Sequence, residues 1–197
     1  TFFTTQHTFA YFFQKDFIGS YNDFKQRIDE IQSVINIKGL DEQKQNIINK
    51  LSYINIITSL DTFICDIILT KIIQDEESFN NFFNSIPPCK KKDEMTKLKE
   101  DNLVAQWEQK VIEYVMRTSY SNIDTIKDIL KELFKVSIID TNGKMKKHFY
   151  YRNLLAHRNG RKKDGGYINI TNEELKSLIT DTQSIAKQIQ TKIKPEH

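Results

Sequence analysis

Three side chains equipped for chemistry lie close together late in the sequence: Arg152, Asn153 and His157. A guanidinium presents a planar fork of donors that matches an oxyanion. A histidine titrates near neutral pH and can take or return a proton. An amide beside them can orient either partner. They occur in Tyr151-Arg152-Asn153-Leu154-Leu155-Ala156-His157, just before Arg158-Asn159-Gly160. The segment 141–163 around them holds eight Lys or Arg residues and no Asp or Glu. The chain carries +3 and this segment +8, so the remainder carries −5. The plain alternative is structural: an arginine and a histidine near a helix C-terminus also complement the helix dipole.

The motif needs a helix to hold it. Lys144 starts one, and Asn159-Gly160 ends it with residue types that tolerate positive φ. On an ideal helix, five residues turn roughly 500°, which leaves Arg152 and His157 about 140° apart. A site built from both therefore requires that the last turn loosen, or that another surface complete it. Two copies meeting at a two-fold axis would bring both residue types into one cleft.

The surrounding elements read as helical. Only six Gly and three Pro occur in 197 residues. Phe24, Ile28, Ile31, Val34 and Ile35 recur at helical spacing within 20–37. Asp41 caps a long stretch to Ile73, whose apolar stripe is too broad for a surface helix and suits a central one. Asp61 lies in that stripe, either at the helix edge facing solvent or as a buried partner for an arginine. Phe79, Phe82 and Phe83 anchor a short helix ended by Pro87-Pro88. Lys90-Lys91-Lys92 reads as a solvated loop, followed by one helix from Asp93 or Thr96 to about Arg117 with Leu98, Leu103, Val104, Trp107, Val111, Tyr114 and Val115 inward. Ser121 or Asn122 starts another. Thr171 and Glu174 form a capping box for a last helix over about 171–193. Residues 5–15 give a short Phe-rich helix. The expectation is one all-α domain over 1–197, a bundle of about five to seven helices.

Competing chemistry is sparse. Cys65 sits in an apolar helical pattern and Cys89 follows two prolines, with no metal-ligand spacing between them. The four histidines are scattered, so no metal site and no cofactor is expected. No glycine-rich phosphate loop occurs. His148 shares a helix face with Arg152 and reads as a packing or phosphate-contacting residue. Tyr150 and Tyr151 suit packing, or stacking on a base. His7 and His197 lie near the termini. The apolar N-terminus lacks the basic region and cleavage site of a signal peptide, and the apolar window 53–73 is broken by Asn55, Asp61, Asp66 and Lys71. A reducing, cytoplasmic setting away from membranes is expected.

Arg152-Asn153-x-x-x-His157 resembles the Arg, polar residue, spacer, His motif of the HEPN superfamily (higher eukaryotes and prokaryotes nucleotide-binding domains). The continuation Ala156-His157-Arg158-Asn159-Gly160 and the final amphipathic helix fit as well. Ser59-Leu60-Asp61-Thr62-Phe63 looks like the acid-bearing central helix of bacterial members, with Asp61 where Glu is usual. The resemblance implies a dimeric helical bundle, often a metal-independent endoribonuclease of defence, toxin–antitoxin or abortive-infection systems.

The implied roles follow residue by residue. His157 would move the proton of the 2′-OH or protonate the 5′-oxygen. Arg152 would bear the charge of the phosphorane, and Asn153 would orient the phosphate or the histidine. Lys147, Arg158, Arg161, Lys162 and Lys163 would attract RNA through its phosphates, with Asp61 a candidate supporting acid. RNA, a second copy through the motif helix, and an antitoxin or regulatory protein are the expected partners. Two alternatives stay open: a HEPN module that binds RNA, nucleotide or protein without cutting, and an unrelated helical interaction domain.

Overall fold

A computed structural model describes residues 16–193. The helix expected over 5–15, with His7 and His197, lies outside the described residues. Eight α-helices follow in order: α1 (Phe17–Ile35), α2 (Glu42–Gln74), α3 (Glu76–Ser85), α4 (Lys90–Glu100), α5 (Val104–Arg117), α6 (Ile123–Phe134), α7 (Lys144–Arg158) and α8 (Asn172–Lys192). A single 3-10 turn, Thr141–Gly143, leads into α7. The described residues contain no strand, only an isolated bridge between Arg161 and Tyr167.

Helix α2 is the organising element, at 33 residues or about 50 Å. Asp41 caps its start by accepting a hydrogen bond from the Lys44 backbone N–H at 2.8 Å. Its stripe is buried on several sides: Tyr53, Ile56, Ile57, Leu60, Ile64, Ile67 and Ile68 lie in the core. Helices α1, α3, α5, α6, α7 and α8 all pack against it. Each fully buried Ile or Leu contributes about 1.5–3 kcal/mol through burial. Asp75 joins α2 to α3. It ends the first helix, and its carboxylate accepts from the Glu77 and Ser78 backbone N–H groups of the second.

Phe79 and Phe83 of α3 meet the Trp107 ring edge-on, with centroids 5.1 and 5.4 Å apart. Three local expectations need correction here. The stretch 93–117 is two helices, because Asn102 adopts a left-handed φ of 56°, which asparagine tolerates better than most residues. Leu103 and Val104, expected inward, are exposed beside this break, and the split gives the described residues eight helices. Lys90-Lys91-Lys92 is the first turn of α4. The Lys92 ammonium donates to the carbonyls of Asn84 and Ile86 at 2.9 and 2.5 Å, satisfying acceptors left free where α3 ends. Cys89 caps α4, its Sγ accepting from the Lys92 N–H.

The remaining boundaries agree with the sequence. Asn122 caps α6, and α8 begins with the reciprocal capping box of Thr171 and Glu174. Helix α1 starts at Phe17, slightly earlier than the apolar spacing suggested, because Asp16 accepts from the Gly19 N–H. Among the described residues, no helix is long and apolar enough to cross a membrane.

Candidate active site

Helix α7 carries the motif, and its inward face decides how the motif is presented. Met145, His148, Phe149, Leu154 and Leu155 are buried, against α2 and α8. His148 is clamped at both ring nitrogens. Nδ1 lies 2.7 Å from the Tyr53 hydroxyl of α2, and Nε2 lies 3.0 Å from Asp181 Oδ2 of α8. Ser177 donates to the same Asp181 oxygen at 3.2 Å, while Lys144 pairs with Asp181 Oδ1 at 3.3 Å. Burial pushes the His148 pKa below its ordinary value, against the opposing pull of Asp181. The phenol of Tyr53 is raised by burial. The Tyr53–His148–Asp181 chain thus fixes the roll of α7 about its own axis.

That roll sets the three motif residues. Arg152 is half-buried, Asn153 and His157 exposed. The Arg152 Nη1 donates to Asn153 Oδ1 at 3.1 Å. Its Nε is shielded from solvent and has no hydrogen-bond partner among the described residues. On the α2 side stands Asp61, half-buried, its Oδ1 accepting the Tyr120 backbone N–H. Burial raises the Asp61 pKa, and the Tyr120 bond and the Arg152 charge partly offset that rise. Asp61 is therefore an electrostatic neighbour of Arg152 while its hydrogen bond goes to backbone.

The helix stays regular through Arg158 and closes at Asn159, in left-handed geometry with φ 50°. The last turn does not loosen. Arg152 faces α2 while His157 shares the solvent face with Asn153 and the half-exposed Tyr150, at the i, i+4 and i, i+3 steps that align side chains. Asn153 links the two sides: it accepts from Arg152 and stands one turn before His157.

The basic segment divides in two. Lys144 pairs with Asp181, and Lys146 with Asp124 at 2.8 Å. Lys147 lies 5.1 Å over the Tyr151 ring. Arg158, Arg161, Lys162 and Lys163 form no salt bridge among the described residues, and all but the half-buried Lys162 are exposed. The last three belong to a short hairpin. Gly160, at φ 80°, turns the chain out of α7, and its N–H bonds Leu154 O at 2.9 Å. A Cβ there would touch the Leu155 side chain at 3.4 Å, so the positive φ and not space is what favours glycine.

The family model described as RiboL-PSP-HEPN matches residues 22–195. The chain belongs to the HEPN superfamily. The match runs from within α1 to just beyond α8 and covers every candidate site residue. No curated protein and no solved structure matches the chain significantly.

Within this HEPN bundle, the structure brings Arg152, Asn153 and Asp61 together and leaves His157 on the outer face of the same helix. His148 takes the packing role of its two expected ones, since both nitrogens are engaged and the side chain is buried. Tyr53 and Asp181, which hold it, were not singled out in the sequence. The available signal was His148 itself, a polar residue on the Met145–Phe149 face, which demands buried partners. Nothing in the sequence named those partners, 95 and 33 residues away.

Proposed function

We propose that this HEPN chain is an endoribonuclease of a prokaryotic defence or toxin–antitoxin type, active as a homodimer through α7. The observation that carries the reading is the state of Arg152. Its guanidinium is half-buried, has an unengaged Nε, and lies within one and a half helical turns of an exposed histidine. An arginine serving only structure would be expected to spend its donors on a carboxylate. The arrangement suits a phosphodiester. The 2′-OH attacks phosphorus, its proton passes to one imidazole, and the bond to the 5′-oxygen breaks as that oxygen gains a proton. The products are a 2′,3′-cyclic phosphate and a 5′-hydroxyl. Arg152 stabilises the phosphorane charge, and Asn153 keeps the guanidinium in register. RNA supplies the nucleophile, so the route needs neither a protein nucleophile nor a metal.

The 140° between Arg152 and His157 gives the second copy its role. Tyr150, Asn153 and His157 form the outer stripe of α7, and a two-fold contact along it places each histidine beside the other copy's motif. The same separation favours a second reading, a HEPN module that binds RNA, a nucleotide or a partner protein without cutting. Incubation of the purified chain with single-stranded or transfer RNA in EDTA separates the two. Cleavage leaving cyclic phosphate ends, lost on His157→Ala and on Arg152→Ala with helical content intact, supports the nuclease. Cleavage unchanged in His157→Ala overturns it, and binding without cleavage by the wild type supports the module. Sedimentation across the same concentrations tests the dimer.

A further inference from the structure

The hairpin after α7 has a register that the motif does not explain. The Ile168 N–H bonds Gly160 O at 2.9 Å, and the Lys162 N–H bonds Gly166 O at 2.8 Å. These two bonds flank the Arg161–Tyr167 bridge. That pattern makes Arg161 and Tyr167 a non-hydrogen-bonded antiparallel pair, the kind whose side chains stand closest on one face. The chain after the pair alternates: Ile168 and Ile170 are buried at 3% and 1%, whereas Tyr167 is 63% exposed and Asn169 is exposed too. The buried isoleucines pin the hairpin and turn Tyr167 outward. The tip closes with a bond from the Gly165 N–H to Lys162 O and another from the Gly166 N–H to the Asp164 carboxylate. An exposed tyrosine alone needs no explanation. Here the hairpin register sets it beside a guanidinium that forms no salt bridge among the described residues, on a segment that also carries Arg158, Lys162 and Lys163.

We propose that this hairpin is a single-strand RNA clamp in which Tyr167 stacks on an unpaired base and Arg161 holds that nucleotide's phosphate. The proposal rests on the RNA reading above but not on cleavage. An aromatic face next to cations is the general solution for single strands, because every base offers a π-face and every nucleotide a charge. A paired base hides its face inside the duplex and cannot use Tyr167. The hairpin begins four residues after His157, a span of at most about 14 Å, so a strand with its scissile phosphate at His157 can reach the clamp with a flanking nucleotide. Tyr167 thereby selects unpaired RNA next to the cut.

The test is fluorescence anisotropy with a 2′-O-methyl oligonucleotide, which binds but cannot be cut at a blocked 2′ position, used single-stranded and as a duplex. Wild type is expected to prefer the single strand. Tyr167→Ala should lose roughly tenfold or more in affinity for it, with little change on duplex. Tyr167→Phe should bind like wild type, since the ring and not the hydroxyl does the stacking. Arg161→Ala should lower the slope of log K against log salt by about 0.7, one phosphate contact, and Arg161→Lys should restore it. Equal single-strand binding by Tyr167→Ala and wild type, equal wild-type affinity for both strands, or no oligonucleotide binding at all would each overturn the clamp. The last outcome would assign the surface to a protein partner. Binding that follows the expected pattern in a protein that leaves unmodified RNA uncut would sink the nuclease reading and leave the clamp standing.

Discussion

Two histidines on one helix have opposite lives. His148 and His157 are nine residues apart, two and a half turns, which puts them on opposite sides of α7. His148 is buried with a partner at each ring nitrogen, and His157 is exposed. The same side chain is structural where the fold closes around it and available for proton transfer where the fold leaves it open. The buried one makes the open one useful, because the Tyr53–His148–Asp181 chain sets the roll of α7 and so decides which residues face out.

Substituting each histidine in turn is the sharpest way to break this comparison. His157→Ala should cost cleavage about 10²- to 10⁴-fold, the usual contribution of a positioned acid or base, with unfolding stability within about 0.5 kcal/mol of wild type. His148→Ala should do the reverse. It takes the partner from the Tyr53 hydroxyl and one of three from the Asp181 carboxylate and should cost about 2–4 kcal/mol of stability, seen as an earlier denaturant midpoint, with a smaller loss of activity in the folded protein than His157→Ala causes, because Met145, Phe149, Leu154 and Leu155 still seat α7. If both variants lose activity equally at temperatures where both are folded, the division of roles fails.

Acid should bring out the burial of His148. The folded-state pKa of His148 lies below its ordinary 6.5, mainly through burial. The unfolded chain then binds more protons than the folded one as pH falls below 6.5, so stability drops through that window until the folded pKa is passed. Denaturant melts of wild type from neutral to acid pH should show this fall, and His148→Gln should flatten it. The opposite drift expected from the raised Asp61 cancels in this difference. A smaller effect should split the basic residues. Lys163→Ala should weaken RNA binding and lower its salt slope by up to about 0.7, whereas Lys146→Ala, whose charge already faces Asp124, should change neither appreciably.

The sequence made the scaffold legible where each signal was local. Asp41, Asn122 and the Thr171–Glu174 box mark helix starts through side chains bonding their own neighbourhood, and Asn159-Gly160 mark an end through residue types that tolerate positive φ, so all can be read from spacing. The break at Asn102 was hidden, because an asparagine entering left-handed geometry leaves no periodic trace and the apolar spacing runs on across it. The family motif and its basic surroundings were equally visible, and so was the 140° between Arg152 and His157, which the regular helix preserves. Contacts between distant helices were not legible. Asp61 could be named as a candidate for an arginine without showing which one, and Tyr53 and Asp181 could not be tied to His148. The pairing of Arg161 with Tyr167 depends on a two-bond register that composition does not encode.

Asp75 carries a different kind of consequence. Its backbone N–H bonds Lys71 O to end the longest helix, and its carboxylate accepts from Glu77 and Ser78 to start the next, so the last turn of α2 and the first turn of α3 are fastened at one residue. A thermal opening at this joint is expected to loosen both turns at once. The corner is expected to open as one unit, its backbone amides exchanging with solvent together, at the C-terminal end of the helix that carries Asp61. About 21 Å of regular helix separates breathing at that corner from Asp61 beside the motif.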